Sequence, residues 1–237
     1  MTTLPKIYCA IDTGDLEAAK TMARAVAPAG CGLKLGMEFF NAQGPQGIAE
    51  IQKAQPGISL FIDLKYHDIP NTVAGAVRSI TRLAPDFLNV HASGGLEMMK
   101  TALDALNDEA QKRSIKPPLL IAVTVLTSMD ETAVTGVGWQ LPIVGQVKRL
   151  AALTQQAGLA GVVCSPLEIA AVRDVCGPDF LTMVPGIRPM AANDDQKRIM
   201  TPKQAVAAGV HHMVIGRPIT QAASPYDAAR QILADIA

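Results

Sequence analysis

Four charged residues, Asp12, Lys34, Asp63 and Lys65, stand at or near the ends of the first three short apolar runs of a chain in which only 18% of residues are charged. Ammonium and carboxylate groups held together away from water can set fixed charge against a reacting group. A single such pair is as readily a structural salt bridge as a functional one. For the whole set the balance shifts. Burying opposed charges is costly, and apolar residues often serve stability as well, so their gathering at one end of the strands points to chemistry. Asp63 and Lys65 are two apart on a run that reads as extended, which aims both the same way, and Lys34 on the neighbouring run is within reach. The other polar residues at run ends are His91, Thr124 with Thr127, Ser165, Arg188 and Arg217.

The elements that must position these groups follow from hydrophobic periodicity. Apolar, β-rich runs occur at 6–12, 31–37, 58–64, 87–92, 119–126, 161–165, 180–185 and 212–216. Between them lie helix-length stretches of 3.6 periodicity, among them LEAAKTMARAVA, VAGAVRSITRLA, GLEMMKTALDALNDEA and VGQVKRLAALTQQA. The strands are almost continuously apolar, as a parallel sheet covered by helices requires. A repeat of about 29 residues matches one βαβ unit. Eight such units in 237 residues, near the ~250 typical of the architecture, give an α/β fold, a (β/α)8 TIM barrel. A doubly wound open sheet ranks second, since no G-x-G-x-x-G follows the first strand. With no linker or composition break, residues 1–237 read as a single barrel domain.

Ser165-Pro166-Leu167-Glu168 and Thr201-Pro202-Lys203-Gln204 each place a cap, a proline and an acid or amide as at a helix start. Residues 188–200 show neither period, and a polar loop so long is more often functional than idle, which makes it a candidate lid. The stretch 127–142 leaves room for a short helix. In a barrel of this kind the active site lies at the C-terminal ends of the strands, where the charged residues stand.

Composition excludes several classes of function. Twenty-one Lys and Arg balance 21 Asp and Glu, so the cationic excess of a nucleic-acid or membrane surface is missing. Forty-nine per cent hydrophobic residues exclude disorder. The absence of a long apolar run or an export-type N-terminus leads to the expectation of a soluble, cytoplasmic protein. Cys9, Cys31, Cys164 and Cys176 have no metal-ligand spacing and read as reduced core residues.

The string Asp63-Leu64-Lys65-Tyr66-His67-Asp68-Ile69-Pro70-Asn71-Thr72, or D-x-K-x-x-D-I-P-N-T, resembles the orotidine 5'-phosphate decarboxylase family. The likeness runs over nearly the whole chain: Ala10-Ile11-Asp12, Lys34, Val90-His91-Ala92-Ser93-Gly94-Gly95, Leu126-Thr127-Ser128, Pro185-Gly186-Ile187-Arg188 and Ile215-Gly216-Arg217-Pro218. It implies decarboxylation of orotidine 5'-phosphate to uridine 5'-phosphate in pyrimidine biosynthesis, with no metal or organic cofactor, by a homodimer with shared active sites. By the same resemblance Lys65 protonates the ring carbon. Asp63, and Asp68 from the other subunit, hold it charged and oriented. Asp12 and Lys34 contact ribose hydroxyls, Lys34 also bonds Asp63, and Thr72 of the partner closes that side. Thr127 binds the pyrimidine. Gly216, Arg217 and Gln196 hold the phosphate, with Arg188 close by. The chemistry is coherent, because a carbanion with no carbonyl or cofactor as electron sink needs a fixed cation and preorganised dipoles.

Two rival readings remain at this stage. In a magnesium-dependent keto-sugar phosphate decarboxylase or synthase, an acidic metal ligand would stand where this chain has Lys34, whose charge repels a divalent cation. A non-catalytic phosphate-ligand binding barrel would not require the Asp63, Lys65 and Asp68 set. His91 reads as a packed residue, His67 as structural or solvent-facing, and His211 with His212 as lacking metal partners. Ser165 reads as a helix cap rather than a nucleophile.

Overall fold

The computed structural model describes residues 4–139, 142–189 and 200–237. Eight strands close into a parallel barrel in sequence order, each pairing with the next and β1 with β8. They are β1 (Ile7–Ile11), β2 (Gly32–Gly36), β3 (Leu60–Tyr66), β4 (Phe87–His91), β5 (Leu119–Val123), β6 (Gly161–Val163), β7 (Leu181–Val184) and β8 (His212–Ile215). All eight apolar runs of the sequence are therefore strands of one closed sheet. The outer helices are α1 (Leu16–Val26), α2 (Met37–Ala54), α3 (Pro70–Thr81), α4 (Gly95–Arg113), α5 (Glu131–Gly136), α6 (Ile143–Gln156), α7 (Ile169–Cys176), α8 (Pro202–Ala207), α9 (Arg217–Thr220) and α10 (Pro225–Ala234). Helix α2 is interrupted at Gly44, whose φ of +62° precedes Pro45, a pairing of residues that the helix interior does not tolerate without a kink.

Both faces of each strand are buried, which is why the runs look continuously apolar. One face packs outward against helices: Ile7, Cys9 and Ile11 of β1, Leu33 and Leu35 of β2, Leu60 and Ile62 of β3. The other fills the barrel with Tyr8, Phe61, Phe87, Ile121, Val123, Val163, Met183 and Val214. The aromatic rings of Tyr8 and Phe87 meet edge to face at 5.6 Å, a favoured geometry for such pairs. Following the alternation toward the C-terminal ends, the inward positions after this plug become Asp12, Lys34, Asp63 and Asn89. The pleat that buries the aromatic residues thus aims the charges into the mouth.

The N-terminal face is stapled shut. The hydroxyls of Tyr8 and Ser59 lie 2.8 Å apart, and Ser59 donates to Asp86 Oδ2 at 2.7 Å. Both expected capping boxes form, at Ser165 and at Thr201; the first opens a short 3-10 turn, Pro166–Glu168, before α7. Ser165 is engaged as a cap, with its own N–H donating to Glu168 at 2.9 Å. Helix α5 occupies the stretch in which a short helix had room.

Two adjacent histidines at this face set a pH dependence. Burial, reinforced by Arg173, His212 and Lys6, pushes His211 down to about 4, and burial lowers His212 as well. The Thr182 N–H donates to His211 Nδ1 at 3.1 Å, a bond the protonated ring cannot accept. In the unfolded chain both rings return to about 6.5. Between those values the unfolded state binds more protons than the folded one, so stability rises with pH. The urea midpoint is therefore expected to fall as pH is lowered from about 7 to about 5; an unchanged midpoint would contradict this account.

Candidate active site

A cavity of about 760 Å³ opens at the C-terminal end of the barrel, lined by Asp12, Lys34, Asp63, Lys65, Thr127, Arg188, Gly216 and Arg217. Its size suits a nucleotide-sized ligand. Phe61, Val163 and Val214 from the barrel plug also line it, so the charges sit on an apolar base where solvent screens them less.

Asp63 is the hub. It is buried, at 7% exposure, and its Oδ1 takes the Lys65 Nζ at 2.6 Å and the Asn89 Nδ2 at 2.6 Å. Its Oδ2 faces Lys34 Nζ at 3.3 Å, and Lys34 in turn lies 3.7 Å from Asp12 Oδ1. Carboxylate and ammonium therefore alternate from Asp12 through Lys34 and Asp63 to Lys65. Burial acts against ionisation of Asp63 and is the largest single influence on it. The ammonium groups of Lys34 and Lys65, with the hydrogen bonds from Lys65 and Asn89, together outweigh burial and hold the carboxyl below its usual range. Gly36 leaves room for the chain of charges, since a Cβ there would lie 3.3 Å from Lys34 Nζ.

Lys65 departs from the extended strand expected of it. Its φ is +51°, a left-handed conformation that costs a non-glycine residue ~1–3 kcal/mol. The β3–β4 register breaks at the same place: Ile62 pairs with Leu88 and Tyr66 with Val90. Three residues of β3 thus face Asn89 alone. Asp63 and Lys65 do converge, but by a turn in the strand rather than by the simple period of two. The Asn89 Oδ1 accepts the Lys65 N–H at 2.8 Å. Sequence reasoning missed Asn89, although a single amide inside the apolar run FLNVHA was the available signal.

On the far side of the cavity, Gly216 and Arg217 form the junction of β8 and α9, with Arg217 the first helical residue. Arg188 is buried, and its backbone N–H donates to the Met200 carbonyl at 3.0 Å. That bond ties the two described ends of the segment 188–200 together at the cavity. The remainder of the candidate lid, Gln196 included, lies outside the described residues.

A model of the orotidine 5'-phosphate decarboxylase / HUMPS family matches residues 5–232. The chain belongs to this family. A protein of Paramagnetospirillum magneticum named orotidine 5'-phosphate decarboxylase is 50% identical over 231 residues, covering 97% of each chain. One of Rhodospirillum rubrum with the same name is 50% identical over 237 residues, covering 100% of this chain and 95% of the relative. The crystal structure of orotidine 5'-phosphate decarboxylase from Lactobacillus acidophilus superposes with a TM-score of 0.86 at 36% identity, covering 99% of both chains.

Against the pattern that the orotidine 5'-phosphate decarboxylase family implies, the cavity brings together Asp12, Lys34, Asp63, Lys65, Thr127, Arg188, Gly216 and Arg217. Asp68 and Thr72 do not join them. Both are exposed, and the Asp68 carboxylate accepts the N–H of neighbouring Ile69 at 2.6 Å. His91 stacks obliquely on His67, with ring centroids 5.3 Å apart. Burial, then the proximity of His67 and Lys65, lowers His91 against the opposing pull of Asp63. Among the described residues, no three His, Cys, Asp or Glu side chains gather as a metal site, and no helix is long and apolar enough to cross a membrane.

Proposed function

We propose that the protein is a cytoplasmic, cofactor-independent carboxy-lyase that converts orotidine 5'-phosphate to uridine 5'-phosphate and CO2 in pyrimidine biosynthesis. The observation that carries this reading is the Lys65 ammonium, 2.6 Å from Asp63, on the wall of a cavity that also presents Arg188 and Arg217. The bond from the ring to the carboxylate breaks, CO2 departs, and the electron pair stays on the ring carbon. Lys65 stabilises that charge and then delivers its proton to the same carbon. Asp63 keeps Lys65 charged and aimed. Asp12 and Lys34 hold the ribose hydroxyls and Thr127 the pyrimidine. Arg217, the Gly216 N–H and Gln196 bind the phosphate, with Arg188 beside them, where barrels of this kind commonly bind one.

Binding energy from the distant phosphate is then available to align the reacting carbon, which raises turnover rather than only tightening binding. A homodimer completes the site, with Asp68 and Thr72 supplied by the partner subunit. The position of Lys34 supports a reaction without a metal: its ammonium lies between the carboxylates of Asp12 and Asp63, where it supplies the charge that a divalent cation would otherwise bring.

The test is ultraviolet absorbance of orotidine 5'-phosphate incubated with the protein, with and without chelator. The expected result is consumption at the same rate in both. Consumption that vanishes with chelator would reject the cofactor-free reading, and no consumption in either would reject the activity.

A further inference from the structure

The break in β3 raises a question of support. Lys65 has a left-handed backbone with no glycine to allow it, and the β3–β4 ladder is interrupted between Ile62 and Tyr66, so regular strand pairing does not impose the conformation. One side chain spans the interruption. Asn89 is 1% exposed, and both ends of its carboxamide are used on β3: Oδ1 accepts the Lys65 N–H at 2.8 Å and Nδ2 donates to Asp63 Oδ1 at 2.6 Å. The orientation of the amide is dictated by its partners. A backbone N–H can only donate, so the oxygen faces Lys65, and the NH2 is left for a carboxylate that can only accept.

We propose that Asn89 is a positioning residue for the decarboxylation: its carboxamide replaces the missing ladder bonds, holds the left-handed turn at Lys65 and fixes the Asp63 carboxylate against the Lys65 ammonium. The inference rests on the proposed activity and adds to it. Asn89 does not touch the cavity; it acts on the proton donor through its backbone and through its counter-ion. A short amide suits the task because it presents one acceptor and one donor in a single plane, side by side with the two β3 groups that need them. Serine, with one hydroxyl, does not span both, and aspartate offers acceptors at both ends.

Two substitutions separate this role from a general contribution to folding. Asn89→Ala removes both bonds without altering the identity of any cavity-lining residue. Turnover is expected to fall on the order of a hundredfold, as for a reacting group displaced by an ångström, with uridine 5'-phosphate affinity retained. Asn89→Asp keeps the acceptor for the Lys65 N–H but sets a second carboxyl against Asp63, and two carboxylates in contact do not readily both ionise. The other charged or titratable groups around that position are Lys34 and Lys65, which oppose protonation, together with His91 on the same strand and His67 stacked on it. The introduced carboxyl can donate to Asp63 only when it holds a proton. The turnover of Asn89→Asp relative to unaltered protein is therefore expected to rise as pH falls.

Turnover of Asn89→Ala equal to that of unaltered protein would overturn the proposal. So would a loss matched by an equal loss of nucleotide affinity. Should Asn89→Ala fail to fold, the near-isosteric Asn89→Asp carries the test, and a relative turnover independent of pH would overturn the donor role. If the unaltered protein does not consume orotidine 5'-phosphate at all, the failure belongs to the proposed activity and not to Asn89.

Discussion

Replacing Lys65 with alanine is expected to lower turnover of orotidine 5'-phosphate by at least about 10⁴-fold, or about 5 kcal/mol of transition-state stabilisation, while uridine 5'-phosphate still binds. Two losses combine in that figure. A positioned general acid is commonly worth about 10²- to 10⁴-fold, and removal of one preorganised charge from a developing anion about 10²- to 10³-fold. Ground-state binding is expected to survive because the groups assigned to ribose and phosphate come from other strands: Asp12 follows β1, Lys34 lies in β2, and Arg217 follows β8. Asp63 would keep two of its partners, Lys34 at 3.3 Å and Asn89 at 2.6 Å, so it is not left as an uncompensated buried charge. Single-turnover kinetics with product-binding titrations read the two quantities separately. Near-normal turnover would remove Lys65 from the role of proton donor, and a parallel loss of nucleotide affinity would show that it serves binding.

The barrel was legible in the sequence because the strands are almost continuously apolar and helical periods recur between them. The runs at 87–92 and 212–216 differ from Phe87–His91 and His212–Ile215 by one residue at an end. The charged residues were legible because the chain spends few charges elsewhere at strand ends. What escaped is irregular. The turn at Lys65 leaves no mark in composition, since the residue there is not the glycine that usually announces a positive φ. Its support comes from Asn89 on the next strand, 24 residues away, and spacing within one run does not reveal it. The kink at Gly44 and Pro45 was not anticipated from the sequence, and α2 continues past it, held by the buried Phe39, Ile48 and Ile51. Packing against the barrel overrides the local break there.

Asp68 gives the other large expected effect. Asp68→Ala alone should nearly abolish turnover, although in the isolated chain its carboxylate is exposed and bonded to the Ile69 N–H, outside the residues that line the cavity. A side chain so placed can serve a site if it reaches the cavity of a second copy, and the adjoining Ile69, 67% exposed, offers apolar surface for that contact. In a two-fold dimer the exchange is reciprocal. Mixing Asp68→Ala protein with Lys65→Ala protein then creates mixed dimers in which one site has Lys65 from the first chain and Asp68 from the second, both unaltered, while the other site lacks both. With equal amounts and free exchange, half of the dimers are mixed and about a quarter of all sites are intact, so two nearly inactive preparations should together recover about a quarter of full activity. Native mass measurement, which separates the mixed dimer from both parent dimers by mass, establishes that subunits have exchanged. Activity no greater than the sum of the two separate preparations, once exchange is demonstrated, would place Asp68 outside the shared site.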